Sequence, residues 1–247
     1  MITNSKYVTL LERREANVLA SVPWVAQWKF NNDGQDSVGA NHLTNNNSAT
    51  FTTGKLGGAL GATQLVAASS QYWSIADNAA LSMGDVDCTF CGWFYLDSVS
   101  DAAERYILQK GTSPNFEYGI SIESLTPNIY FRFWVSNDGG SVGANNENIE
   151  SVLVLSQWIC FFCWHDSVAN TINYQLNDGT VRSVSYAGGM VDRAGSLTIG
   201  SFGIIRFMDG RIDNVCIAKS AAGGGGVLTA AQRTAFYNAG VGTEVLT

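Results

Sequence analysis

Apolar and aromatic residues from Trp24 onward gather in short runs separated by clusters of Gly, Asn, Asp and Ser, the pattern of an antiparallel sandwich or barrel. The runs predict strands at 24–30, 71–75, 86–96, 106–110, 116–122, 128–135, 158–165, 171–176, 180–185, 196–200 and 210–218. They follow one another too closely for parallel βαβ crossovers. Within 86–96, Trp93 and Tyr95 share one face and Phe90 and Phe94 the other; in 128–135, Tyr130, Arg132 and Trp134 alternate with Phe131 and Phe133. Strands this apolar on both faces belong at the centre of a sheet. Asn177-Asp178-Gly179 reads as a tight hairpin, and Asn137-Asp138-Gly139-Gly140 closes another run.

Two segments depart from this rhythm. Residues 1–23 carry a short helical pattern around Leu10, Leu11, Val18 and Leu19 that stops at Ser21-Val22-Pro23. They read as an arm ahead of a sandwich over 24–247, either docking the chain on a larger assembly or simply a frayed terminus. Near the other end, Thr229-Ala230-Ala231-Gln232 is a capping-box pattern that predicts a short helix to Asn238, stopped by Gly240. Leu228, Phe236 and Tyr237 give that helix an apolar side to lay on the sandwich. The glycines at 223–226 read as a flexible loop.

Composition supports one large all-β domain. Among 247 residues there are 26 Gly and 3 Pro, aromatics make up 11% and charged residues only 14%. The net charge of −7, with no basic cluster among exposed aromatics, leaves counterion release little to act on, so nucleic acid is not an expected partner. Leu10-Leu11-Glu12-Arg13-Arg14-Glu15 interrupts any apolar core of a Sec signal. The longest apolar run, 158–164, is far shorter than the roughly 20 residues that span a bilayer, so no membrane insertion is expected. Five cysteines include two pairs at three-residue spacing, Cys88 with Cys91 and Cys160 with Cys163. Residues three apart in a strand point to opposite faces, so one strand cannot aim both thiols at one metal. Buried thiols in a reduced protein are the expectation.

A longer series of motifs resembles a known family. Trp28-Lys29-Phe30, Asp36-Ser37-Val38-Gly39-Ala40-Asn41-His42-Leu43-Thr44 and Gly54-Lys55-Leu56-Gly57-Gly58-Ala59-Leu60 look like the opening of laminin-G-like domains of the concanavalin A-like lectin/glucanase superfamily. Gln71-Tyr72-Trp73-Ser74-Ile75, Cys88-Thr89-Phe90-Cys91-Gly92-Trp93-Phe94, Ile107-Leu108-Gln109-Lys110-Gly111, Leu197-Thr198-Ile199-Gly200 and Asp209-Gly210-Arg211-Ile212-Asp213-Asn214-Val215 follow in the family's order. Leu228 to Gly240 resembles its closing helix. The resemblance implies a two-sheet antiparallel jelly roll of about a dozen strands, with a short C-terminal helix.

What chemistry would such a domain carry? Hydrolysis by a glucanase relative needs paired carboxylates, and the Glu-x-Asp-x-x-Glu arrangement does not occur; Glu117, Glu123, Asp166 and Asp213 are scattered. With His42 and His165 as the only histidines and no Gly-x-Ser-x-Gly elbow, a Ser-His-Asp hydrolase is equally unsupported, and His165-Asp166 is expected to form a surface hydrogen bond. The resemblance implies a calcium (Ca2+) site at the rim, for which Asp33, Asp36 and Asp213 are the candidates; the alternative for the early loop is an Asx turn. Tyr130, Arg132 and Trp134 form a candidate ligand-binding row, the rings stacking on a sugar and Arg132 holding a polar group; the alternative is core packing. The chain also resembles virion proteins of tailed phages. That likeness implies capsid decoration or tail adhesion, attachment to other virion proteins through residues 1–23, a symmetric homo-oligomer, and loops that meet a cell-surface glycan. A free glycan-binding lectin is the alternative, and a glycoside hydrolase the disfavoured third.

Overall fold

The computed structural model describes residues 18–99, 104–125, 128–140, 144–147 and 153–244. Fifteen strands among them form two antiparallel sheets. The larger sheet runs, in spatial order, through β13 (Arg182–Ser185), β12 (Thr171–Leu176), β11 (Trp158–Asp166), β6 (Asp87–Leu96), β15 (Gly210–Ser220), β4 (Ala62–Leu65) and β3 (Thr50–Thr52), with β1 (Trp24–Trp28) also paired to β15. The second sheet runs through β10 (Ala144–Glu147), β9 (Asn128–Val135), β8 (Tyr118–Leu125), β7 (Glu104–Lys110), β14 (Leu197–Ile199), β5 (Tyr72–Ile75) and β2 (Thr44–Asn46). This is the expected jelly-roll sandwich.

Strand alternation sorts the side chains into two cores. Phe90 and Phe94 of β6, Phe161 and Cys163 of β11, and Phe131 and Phe133 of β9 fill the space between the sheets. The opposite face of β6 and β11 is apolar as well, and it needs a third layer. Cys91, Trp93, Cys160, Phe162 and Trp164 are covered there by α1 (Ala230–Tyr237) and by residues 18–22. Phe236 meets Phe162 edge-on at 5.6 Å, and Tyr237 stacks on Trp93 at 5.8 Å. Thr229 and Gln232 close the expected capping box at the start of α1.

The cysteines obey the facing argument. Cys88 and Cys163 lie between the sheets, whereas Cys91, Cys160 and Cys216 lie under the helix; all five are free and buried.

Several expectations need revision. Leu19 and Val22 are buried against the outer face of the larger sheet, and the Trp24 indole N–H donates to the Leu19 carbonyl at 3.0 Å, so packed structure begins before Trp24. Residues 1–17 lie outside the described residues. The glycines at 223–226 form an anchored turn: Gly223 N–H donates to Asp87 Oδ2 at 2.7 Å, and the Gly226 carbonyl accepts from Thr89 Oγ1 at 2.8 Å. His165 is buried, with Nδ1 2.9 Å from the Val86 carbonyl, and Asp166 instead caps the following turn by accepting from Val168 and Ala169. Four further strands, β2, β3, β4 and β10, were not expected from the pattern.

Candidate functional site

The outer face of the second sheet carries a polar row whose members come from strands far apart in sequence. Thr198 of β14 pairs directly with Ser74 of β5 on one side and with Gln109 of β7 on the other. Their neighbours Leu197, Ile199, Trp73 and Leu108 point into the core, so Ser74, Thr198 and Gln109 point out together. Beyond Gln109 the row continues through Gly119 to Trp134.

These three residues line a cleft of about 340 Å3, bounded also by Tyr72, Asn115 and Ile204. Among the described residues, no ionisable side chain but the Tyr72 phenol lines it. Thr198 Oγ1 has one proton and two acceptors in reach, the Ser201 carbonyl at 2.8 Å and Gln109 Oε1 at 3.4 Å. The nearer carbonyl takes it. Gln109 is fully buried and its Nε2 has no hydrogen-bond partner. Such a group is costly to leave unsatisfied, and it lies beneath the polar cleft, closed off from its opening.

The three expected ligand-binding residues do share this face, but they do not form an open platform. Trp134 is only 1% exposed. Its indole lies across Gly119, where an added Cβ would stand 2.3 Å from Trp134 Cζ2. Phe116 and Tyr106 meet it edge-on, and Phe202 packs on both of them. Arg132 is held by Glu104 at 3.0 Å and Glu123 at 3.5 Å. The Tyr130 hydroxyl accepts from Asn128 Nδ2 at 3.0 Å.

The three expected calcium ligands are placed apart. Asp33 Oδ1 accepts from Gln35 N–H at 3.0 Å, an Asx turn. Asp36 is buried, with Oδ1 accepting from Gln27 and Val38 N–H and Oδ2 from the backbone and side chain of Asn41. Burial pushes its pKa up, but the backbone donors outweigh this and hold the carboxyl below its ordinary range. Asp213, in β15, accepts from Leu56 N–H at 2.7 Å, and burial pushes its carboxyl up to about 7. The early loop and the late strand are joined by Gln27, whose backbone bonds Asp36 and whose side chain donates to Asn214 Oδ1 at 2.7 Å.

Among the described residues, one group of three acidic side chains does converge: oxygens of Asp77, Glu117 and Asp192 all lie within 4.8 Å of one another. Lys110 Nζ already stands there, 2.6 Å from Asp77 and 2.5 Å from Glu117. The pairs tie the end of β7 to the segment before β14, since Lys110 also donates to the carbonyls of Arg193 and Gly195. A second, smaller hollow of about 230 Å3 lies between α1 and the β12–β13 connection, beside Arg233 and Tyr237.

No protein-family model and no curated protein matches the sequence. Solved structures do match in fold. Domain 4 of AbnA, a GH43 extracellular arabinanase from Geobacillus stearothermophilus, in complex with arabinotriose, aligns with a TM-score of 0.60 and 16% identity, over 83% of this chain and 96% of that one. The binding domain of botulinum neurotoxin DC in complex with SialylT aligns with a TM-score of 0.64 and 9% identity, over 90% of this chain. The botulinum neurotoxin serotype C1 binding domain gives 0.61 and 10% over 84%. The chain spans about half the length of the two toxin binding domains, 52% and 51%. At these identities the likeness establishes the fold alone: the chain is a two-sheet antiparallel β-sandwich.

Proposed function

We propose that this chain is a non-catalytic, lectin-like module that binds a neutral glycan in the cleft over Ser74, Thr198 and Gln109. The observation that carries the reading is the cleft over β5 and β14, lined among the described residues by the hydroxyl and amide groups of Tyr72, Ser74, Asn115 and Thr198 and by no charged side chain. A sugar exchanges its water hydrogen bonds for such groups with little desolvation cost, and the Tyr72 ring at the edge offers an apolar contact. Two structures of this fold, one in complex with arabinotriose and one with SialylT, support a glycan as ligand class. Among the described residues the lining has no carboxylate pair to act as acid and base, which supports binding over hydrolysis.

The test is the full chain on an array of neutral and acidic glycans, with Thr198→Val as the cleft variant. Retention of neutral glycans that Thr198→Val weakens supports the reading; no retained glycan overturns it. Release of reducing sugar from a polysaccharide panel would overturn its non-catalytic half. The setting proposed with it is a virion, the chain attached as a homo-oligomer through residues 1–23 and presenting the cleft to a cell surface. Failure to co-purify with particles would favour the free lectin.

A further inference from the structure

The register of the larger sheet sets two cysteines against each other. Cys216 of β15 stands directly opposite Cys91 of β6, just after the register shift that follows Asp213, and from there the ladder runs unbroken to Ser220 opposite Asp87. Directly opposed residues of antiparallel strands share a face and have Cα atoms roughly 4.5–5.5 Å apart. A disulfide spans roughly 4.4–6.8 Å between Cα atoms. None of the other cysteines has a cysteine opposite: Cys88 faces His165 and Lys219, Cys160 faces Trp93, and Cys163 faces Phe90 and Tyr174.

Both thiols point away from the space between the sheets, into the layer under α1 and residues 18–22. Burial pushes both above the ordinary thiol range, so neither is a nucleophile once that layer is in place. The helix that covers them follows β15 in the chain and rests on Trp93 of β6 and Phe162 of β11. Eight residues are too few for a helix to persist alone, so α1 forms on strands that have already paired. Until it docks, the two sulfurs stand side by side in the open.

We propose that Cys91 and Cys216 are a disulfide site, closed during folding by a small disulfide such as oxidised glutathione. One thiolate attacks a glutathione sulfur and expels the other glutathione as a thiolate. The second cysteine thiolate then attacks the cysteine sulfur of the mixed disulfide, and the remaining glutathione leaves. Two cysteine thiols are oxidised, one glutathione disulfide is reduced to two thiols, and the two protons pass to the leaving thiolates. The link ties strands that are adjacent in the sheet but separated in the chain by β7 to β14, so it takes much freedom from the unfolded chain. The site stands independently of the glycan reading.

The experiment refolds the full chain from urea in reduced glutathione alone and in a mixture of reduced and oxidised glutathione, counts thiols after denaturation, and maps linked peptides by mass. The first preparation should yield five thiols and the second two fewer, with Cys91 joined to Cys216 and Cys160 free. The oxidised chain should melt roughly 5–15 °C higher, and a reductant should reverse the rise. Cys216→Ala should keep every remaining thiol in the same mixture and gain nothing in melting temperature; if that variant does not fold, the peptide map of the unaltered chain decides alone. Equal thiol counts in the two preparations, glutathione bound without the Cys91 to Cys216 link, a link through Cys160, or an oxidised chain that melts no higher overturns the inference.

Discussion

The Lys110 ammonium lies 2.5 Å from Glu117 Oε1, with both side chains wholly excluded from solvent. Burial pushes the Glu117 carboxyl up to about 7, against the pull of the lysine. Its second oxygen has no partner among the described residues. Removing the lysine alone strands a buried carboxylate, so Lys110→Met should cost about 3–5 kcal/mol in urea unfolding at neutral pH. Lys110→Met with Glu117→Leu should recover much of that loss. A double variant no better than the single would show that the pair's role is packing, not charge.

Asp213 gives the fold a pH dependence. Its carboxyl has an ordinary pKa of 3.8 and is raised by burial to about 7. The folded state therefore holds the proton more tightly than the unfolded chain does, and this contribution is complete below about pH 3.8 and lost as pH rises through 7. The melting temperature should fall from pH 4 to 8. Asp213→Asn keeps an acceptor for Leu56 N–H and should shallow that fall; Glu117, shifted in the same direction, keeps it from vanishing. A wild-type profile that rises over this range would refute the assignment.

Calcium requires six to eight oxygen ligands. Both oxygens of Asp36 are already taken by N–H donors, and Asp213 bonds Leu56. A chelator should leave the melting midpoint where it is. A midpoint raised by added calcium, and no longer raised in Asp36→Asn or Asp213→Asn, would make these residues ligands after all.

The five thiols are all buried, and burial pushes Cys88 up to about 12 and Cys160, Cys163 and Cys216 well above the ordinary thiol value. Native protein should resist a thiol-reactive dye, and denatured protein should take up five equivalents. Rapid labelling of native protein would place at least one cysteine in an opening segment.

How much of this could be read before folding? The central strands could, because runs such as Cys88-Thr89-Phe90-Cys91-Gly92-Trp93-Phe94 are apolar on both faces and fit no other environment. The edge strands could not: Thr44–Asn46 is polar throughout and Thr50–Thr52 is too short to show a period, and both become strands only through pairing with β5 and β4. The cleft was illegible for a different reason. Ser74, Thr198 and Gln109 each look like an ordinary outward polar position, and only the register across β5, β14 and β7 sets them side by side. Gly119 held a usable signal, since a glycine inside a strand marks a close approach, here that of Trp134.

Hydroxyls and an amide carried on paired strands sit at the strand repeat of roughly 4.8 Å, held by the same ladder that holds the sheet. A ligand in the proposed cleft would therefore meet a ruler whose marks are set before it arrives. Little of the protein's freedom is lost on binding, and it is the ligand whose stiffness decides affinity: a rigid ring that matches the spacing pays little, while a flexible chain of equal polarity pays to be straightened.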